Sequence, residues 1–153
     1  MSFKYKRIPK REDVKFPSNR PKIAKEGEEI LSGYVDGIPA KRDEEFFMQE
    51  VRKLPNVRST EFRMTLGAPR HMPGWLELDA LVETYSGYRA FEIDDMSFVH
   101  LGMREAAETR LKDIRRKEGL AKYGINIIKV EHIDAKKLDN RKITKETIQE
   151  LRV

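Results

Sequence analysis

Cysteine is absent from this chain of 153 residues. The absence excludes a disulfide framework and thiolate catalysis, and it fits a reducing compartment. The three histidines, His71, His100 and His132, are too far apart for a His-x-x-x-His zinc motif. No apolar run approaches the ~20 residues that cross a bilayer, and the basic N-terminus lacks the apolar segment of a secretory signal. We therefore expect a cytoplasmic protein that does not bind membranes.

Several catalytic motifs are also missing. The chain has no Gly-x-Gly-x-x-Gly, no Gly-Lys-Ser/Thr phosphate loop and no Gly-x-Ser-x-Gly elbow, which argues against dinucleotide binding, P-loop chemistry and a serine hydrolase. Carboxylate pairs serve glycosidases, but a single tryptophan offers little aromatic surface for stacking sugars. The charged residues, which make up 37% of the chain, are therefore the main candidates for a functional site.

The basic charge lies in an N-terminal arm, residues 1–25. The arm has nine Lys or Arg and two acidic residues, a balance of +7, whereas residues 26–153 have 22 basic and 24 acidic residues, a balance of −2. Because the arm also contains three prolines, we expect it to be extended. Basic arms commonly neutralise phosphates, and we predict DNA binding by Lys4, Lys6, Arg7, Lys10 and Arg11. A solubilising tail, or a peptide that docks on a partner protein, would have the same composition.

The rest of the chain is long enough for one compact domain, since a chain of this length buries about two-thirds of its unfolded surface. We place this domain at residues 43–153. Between it and the arm, residues 26–42 include Leu31–Pro39, where two glycines and a proline interrupt apolar residues. This composition predicts a small hairpin or a linker.

Two acidic segments alternate with apolar residues. In Leu76–Ala80, Glu77 and Asp79 share one face of a strand, and in Ala90–Asp94, Glu92 and Asp94 do the same. The polar residues and glycine between the two strands indicate a hairpin turn. A hairpin would bring the four carboxylates to one sheet face.

Carboxylates in such proximity raise one another's pKa and are tolerated when a cation neutralises them. Oxygen ligands suit a hard ion such as Mg2+ or Mn2+. We therefore predict a metal site at Asp79 and Glu92. Acidic residues on a solvent-facing strand would produce the same sequence pattern.

Apolar spacing predicts elements before the hairpin. Asp43 is the expected N-cap of a helix from Glu44 to Leu54. Thr60–Leu66 alternates as a strand, and residues 67–74 form a loop in which Arg70 is placed to reach a phosphate.

Further elements are predicted after the hairpin. A helix is expected from Met103 to Tyr123, with an apolar stripe toward the core at Ala107, Leu111, Ile114 and Ala121. Gly124 is its expected C-cap, Ile125–Val130 reads as a buried strand, and a final helix is expected to start near Thr144.

The order of these elements and acids resembles the restriction-endonuclease-like, or PD-(D/E)xK, nuclease superfamily. Within it the chain is most similar to the branch related to very-short-patch-repair endonucleases. The resemblance covers roughly Asp43 to Ile133. It rests on Glu92-Ile93-Asp94-Asp95, His100, Asp113-Ile114-Arg115-Arg116, Leu120 and Gly124.

This resemblance implies an α/β fold with a mixed central sheet flanked by helices, and a metal-dependent DNA endonuclease. It implies that Asp79, Glu92 and the carbonyl of Ile93 hold Mg2+ or Mn2+, with Asp94 as a further catalytic residue. Lys112 is the expected catalytic cation, with Arg116 behind it. Supporting roles fall to Glu45 (or Glu44 or Glu50 of the same helix), Glu77, His100, Asp113 and Arg116.

Three departures from the pattern favour an alternative. Asp94 stands where the superfamily has its lysine, Asp95 replaces a glycine, and His100 lies further downstream than usual. The alternative is a nuclease fold that no longer cuts, serving as a DNA-binding or assembly subunit of a phage or mobile-element machine. Cutting both strands generally requires two copies of one active site, so a homodimer is a further expectation.

Overall fold

The computed structural model describes residues 31–95 and 103–153. The arm residues and His100, for which predictions were made above, lie outside these ranges. The elements, in chain order, are β1 (Tyr34–Val35), β2 (Ile38–Pro39), α1 (Arg42–Val51), β3 (Val57–Leu66), β4 (Leu76–Thr84), β5 (Gly87–Asp94), α2 (Met103–Ala121), β6 (Val130–Asp134), a 3-10 helix (Ala135–Leu138) and α3 (Arg141–Leu151).

Four strands form the central sheet in the order β3-β4-β5-β6. The first three are antiparallel neighbours, and β6 runs parallel to β5 after the α2 crossover. The sheet is therefore mixed, as predicted. Strands β1 and β2 form a separate small hairpin, and Val35 of that hairpin packs into the main core.

Helices cover both faces of the sheet. On one face α1, α3 and the 3-10 helix pack over Phe62, Ala80, Val82, Phe91 and Ile133, with Phe47, Met48 and Ile148 as their main contributions. On the other face Leu120 of α2 packs over Leu81, Ala90 and Val130. The predicted α/β class, with a mixed sheet flanked by helices, is confirmed. Within the described ranges no helix has the length and apolarity needed to cross a bilayer.

The β4–β5 hairpin is confirmed. Thr84 pairs with Gly87 across a two-residue turn. Gly87 has φ +131°, a backbone conformation that residues with a Cβ rarely adopt. The register, with Leu81 opposite Ala90, places Glu92 and Asp94 on the face that α2 covers. The predicted single face for Leu76, Leu78 and Ala80 is wrong, because Leu76 and Leu78 pack in the core beneath α2 whereas Ala80 packs in the core beneath α1. The alternation of β4 therefore breaks near Asp79.

The predicted strand at 125–130 is wrong, because the strand begins where that segment ends. Ile127 packs in the core beneath α2, whereas Ile128 is 90% exposed. The segment is a connection, and the parallel ladder with β5 starts at Val130. An apolar run alone does not distinguish a packed connection from a strand.

The predicted inward stripe of α2 is also wrong. Leu111 and Ile114 are 55% and 53% exposed, and Ala107 and Ala121 are exposed as well. The helix instead turns Asp113, Arg116 and Leu120 toward the sheet. Polar contacts with the sheet therefore set the orientation of α2.

Two helix starts also differ from prediction. α1 begins two residues earlier, with Lys41 as N-cap, and Asp43 lies in its first turn. Glu44 Oε1 accepts the Lys41 backbone N–H at 2.9 Å and so satisfies an amide at that end. α3 begins at Arg141 because Asn140 caps it, its side chain accepting the Ile143 N–H at 2.9 Å.

Candidate active site

Asp79 and Glu92 meet where the pairing of β4 and β5 ends. The last paired residues in the register are Ala80 and Phe91. Beyond them each carboxylate bonds to the opposite backbone: Asp79 N–H donates to Glu92 Oε2 at 2.8 Å, and Ile93 N–H donates to Asp79 Oδ2 at 2.8 Å. Side chains thus replace the backbone ladder and hold the two carboxylates beside each other.

Both carboxylates are costly to ionise. Glu92 is 7% exposed, and burial, together with the negative charge of Asp79, raises its pKa to about 8. Burial likewise raises the pKa of Asp79 to about 6, and the charges of Glu44 and Asp94 act in the same sense. Such shifts are characteristic of functional sites, although structural networks also produce them.

The first helix contributes Glu44 to this site. The negative charge of Glu44 helps to raise the pKa of Asp79. Arg63 Nη2 donates to the two Glu44 carboxylate oxygens at 3.0 and 3.2 Å. Glu45, the residue first expected here, instead accepts the backbone N–H groups of Ser32 and Gly33 at 2.8 Å each and so holds the β1–β2 hairpin. Glu50 pairs with Arg141 and Lys53.

Arg116 is the cation of α2 that contacts the pair. Its Nη2 lies 3.4 Å from Glu92 Oε1, and its Nε donates to the backbone carbonyl of Glu77 at 2.9 Å. Lys112, predicted to supply this charge, is exposed on the outer side of the helix. Arg116, and not Lys112, is therefore the cation that α2 places beside the carboxylates.

His132 links three elements beside the carboxylates. Its Nδ1 contacts Asp94 Oδ2 at 2.5 Å, and its Nε2 contacts Asp113 Oδ2 at 2.6 Å. Hydrogen bonds to these two carboxylates raise the pKa of His132 to about 9, so the imidazole carries a charge at neutral pH. Asp113 Oδ1 also accepts Arg116 Nη1 at 2.9 Å, and the network therefore connects β5, β6 and α2.

The sequence reasoning missed His132. A correct placement of the last strand would have found it. β6 is parallel to β5 and pairs His132 with Glu92, so a strand at 130–134 puts the imidazole on the same sheet face as the Glu92 carboxylate. Placing the strand at 125–130 concealed that relation.

Glu77 and Arg70 form a more exposed pair at the edge of the site. Arg70 Nη2 lies 3.0 Å from Glu77 Oε2, and the guanidinium also lies over the Trp75 ring. Almost half of the Arg70 side chain is exposed, at 47%. A surface ion pair of this kind contributes little to stability.

The donor set suits a hard cation with few protein ligands. Within residues 31–95 and 103–153, no group of three His, Cys, Asp or Glu side chains is arranged around a common metal position. Asp79 and Glu92 each use one oxygen for a backbone N–H, which leaves Asp79 Oδ1 and Glu92 Oε1, the second of these with Arg116 Nη2 at 3.4 Å. Mg2+ is commonly held by one or two carboxylates plus water and phosphate oxygens. The two carboxylates fit that mode of binding, and a cation beside them would offset their repulsion.

Comparison of the chain with protein-family models, with curated proteins and with solved structures found no significant match.

Proposed function

We propose that this chain is a metal-dependent DNA endonuclease with a restriction-endonuclease-like core, cutting phosphodiester bonds by hydrolysis. One observation carries the proposal: the buried Glu92 and the half-buried Asp79 lie side by side at the open end of a hairpin, each bonded to the opposite strand. Proteins rarely bury adjacent carboxylates without a compensating cation.

The topology supports the same proposal. A helix, three antiparallel strands, a second helix and a parallel strand follow in order, which agrees with the series on which the resemblance rests. Asp113 and Arg116, the helix residues in that series, are the two that reach the sheet at the carboxylates.

Each residue has a role in the proposed mechanism. Asp79, Glu92 and the Ile93 carbonyl would hold Mg2+ or Mn2+, which polarises the scissile phosphate and lowers the pKa of the attacking water. Arg116 orients Glu92. Asp94 has one oxygen on His132, which leaves Oδ1 to accept a hydrogen bond from the water.

Plasmid nicking tests the proposal. Supercoiled DNA with Mg2+ or Mn2+ is incubated with wild type, with Asp79→Ala and with the control Glu83→Gln. The control alters an acid of the same strand, whose Oε1 accepts Ser59 Oγ at 2.7 Å. We expect wild type and Glu83→Gln to nick and Asp79→Ala to lose at least 100-fold in rate. Equal rates for wild type and Asp79→Ala would contradict the site.

The arm prediction concerns DNA affinity. Deleting residues 1–22 removes eight basic and two acidic residues, a net loss of six positive charges. We expect a folded protein that binds duplex DNA more weakly, with the slope of log affinity against log salt flatter by about 0.9 for each lost phosphate contact. Unchanged affinity and slope would assign the arm to a protein partner or to solubility.

The second candidate is a nuclease fold that binds DNA without cutting it. The observation that favours it is Asp94: the position of the missing lysine is occupied by an acid engaged by His132. Under this alternative, wild type binds DNA but does not nick it with either metal, and Asp79→Ala binds at least as well because it removes a negative charge.

A further inference from the structure

Arg116 and Arg63 are the two arginines whose charges stabilise the Glu92 and Asp79 carboxylates, and the two guanidinium groups differ in their hydrogen bonds. Arg116 is 12% exposed, and each of its three guanidinium nitrogens has a partner: Glu77 O, Asp113 Oδ1 and, at 3.4 Å, Glu92 Oε1. A phosphate would have to displace one of these contacts to bind Arg116. The geometry of Arg116 is that of a residue that orients Glu92 and docks α2.

Arg63 has unused donors. A guanidinium offers five N–H groups, yet within the described ranges the Arg63 hydrogen bonds all come from Nη2, to Glu44. Its Nε is buried without an acceptor there. The side chain is 26% exposed, so solvent reaches part of this group.

The backbone of Arg63 is unusual for a strand. The register pairs Phe62 with Ala80 and Met64 with Leu78, so Arg63 lies across from Asp79. Its φ is +60°, a left-handed conformation that is rare for long side chains and, where it persists, concentrates at functional sites. The result is that Arg63 lies over the Phe62 ring and reaches Glu44 of α1.

We infer that Arg63 is the cation that contacts the scissile phosphate at the Asp79–Glu92 site. A phosphodiester brings negative charge to a place that already holds Glu44, Asp79 and Glu92. The planar guanidinium of Arg63, whose Nη1 donates no hydrogen bond within the described ranges, matches phosphate geometry. This inference rests on the proposed function, since it assigns the group that faces the substrate of that site. It also replaces Lys112 as the source of the charge that the sequence lacks at Asp94.

The test measures binding and cutting separately. Affinity for a 20-bp DNA duplex is measured in Ca2+ over a range of salt, and cutting is measured in Mg2+ under single-turnover conditions. The variants are Arg63→Gln, Arg63→Lys and the control Arg58→Gln. Arg58 is an exposed arginine of the same strand, paired with Glu83 at 3.5 Å.

We expect Arg63→Gln to weaken duplex binding about tenfold, as the loss of a charged hydrogen bond does, and to flatten the salt slope by about 0.9. We expect cutting to fall about 100-fold or more. Arg63→Lys should restore the salt slope and part of the rate. Arg58→Gln should match wild type in both measurements.

Arg63→Gln leaves the buried Glu44 without its cation, which threatens folding. The double variant Glu44→Gln/Arg63→Gln removes both charges and is measured in parallel. Glu44→Gln alone keeps Arg63 and should bind DNA at least as tightly as wild type. If Glu44→Gln and the double variant have the same affinity and salt slope, Arg63 makes no phosphate contact.

The outcomes separate this inference from the proposed function. If wild type cuts DNA and Arg63→Gln cuts equally well with an unchanged salt slope, the Arg63 inference alone is overturned. A flatter slope for Arg63→Gln with no cutting by wild type supports the Arg63 contact and overturns the nuclease proposal. Equal effects of Arg58→Gln and Arg63→Gln would show general electrostatics and overturn the assignment. No duplex binding by wild type overturns both.

Discussion

The carboxylates at the two ends of the β4–β5 hairpin differ in their exposure and in their hydrogen-bond partners. At the turn end the ladder is complete, and Glu83 accepts Ser59 at 2.7 Å and faces Arg58 at 3.5 Å near solvent. At the open end the ladder stops, and the side chains of the half-buried Asp79 and the buried Glu92 take over its backbone bonds. The pKa of Glu92 there rises to about 8.

The difference lies in what surrounds each acid. Glu83 pairs with Arg58, and its side chain is 25% exposed to solvent. Glu92 is covered by α2, and its cation Arg116 is shared with Asp113 and the Glu77 carbonyl. One hairpin thus contains both an ordinary ion pair and two neighbouring carboxylates held at an electrostatic cost, and such a cost is typical of functional sites.

The largest expected effect is on the pH dependence of stability without metal. Glu92, Asp79 and His132 all have a folded-state pKa above the ordinary value, at about 8, 6 and 9 respectively. The folded state then binds more protons than the unfolded chain, so the free energy of unfolding falls as pH rises from about 4 to about 9. We expect a fall on the order of 3 kcal/mol, measured by urea unfolding in EDTA.

Glu92→Gln should remove much of that fall because glutamine does not titrate. Its side-chain oxygen can still accept the Asp79 N–H, so the variant should fold. Glu83→Gln should keep the wild-type profile. A fall of equal size in wild type and Glu92→Gln would place the titrating group elsewhere and would remove the contrast between the hairpin ends.

A second, smaller effect is expected at the link between the open end and α2. His132→Asn removes the bonds to Asp94 and Asp113 and leaves two half-buried carboxylates facing each other. We expect a loss of about 2 kcal/mol of unfolding free energy, measured at pH 6, where the imidazole is charged. His71→Asn, at an exposed loop position, should leave stability unchanged. Equal stabilities would mean that the contacts of His132 with Asp94 and Asp113 contribute nothing to docking α2.

The smallest effect is expected at the turn end. Thr84 Oγ1 donates to the Gly87 carbonyl at 2.7 Å and accepts the Ser86 N–H at 3.0 Å. Thr84→Val removes both bonds and should cost about 1 kcal/mol in chemical unfolding, with nicking unchanged. A loss of nicking in this variant would show that the two ends are not independent.

Much of this contrast could be predicted from sequence. Period-2 alternation in residues 76–80 and 90–94, with a glycine-containing turn between them, was enough to place Asp79 beside Glu92. These signals are local, and local spacing is what a single sequence displays most directly.

The relations between distant elements could not be predicted in the same way. Leu111 and Ile114 have the spacing of a buried stripe, yet the side chains that reach the sheet are Asp113 and Arg116, because their partners lie on β4, β5 and β6. The residues that flank Arg63 in the sequence do not predict its positive φ or its contact with Glu44. Such contacts depend on the register of the sheet and on which helix covers which face.

The central claim is that the open end holds a divalent cation, and thermal unfolding with and without Mn2+ tests it most directly. A ligand that binds the native state raises the melting temperature, so wild type and Glu83→Gln should shift upward at millimolar Mn2+. Asp79→Asn should lose the shift, and its metal-free melting temperature should rise because the charge beside Glu92 is gone. An equal Mn2+ shift in wild type and Asp79→Asn would contradict the site.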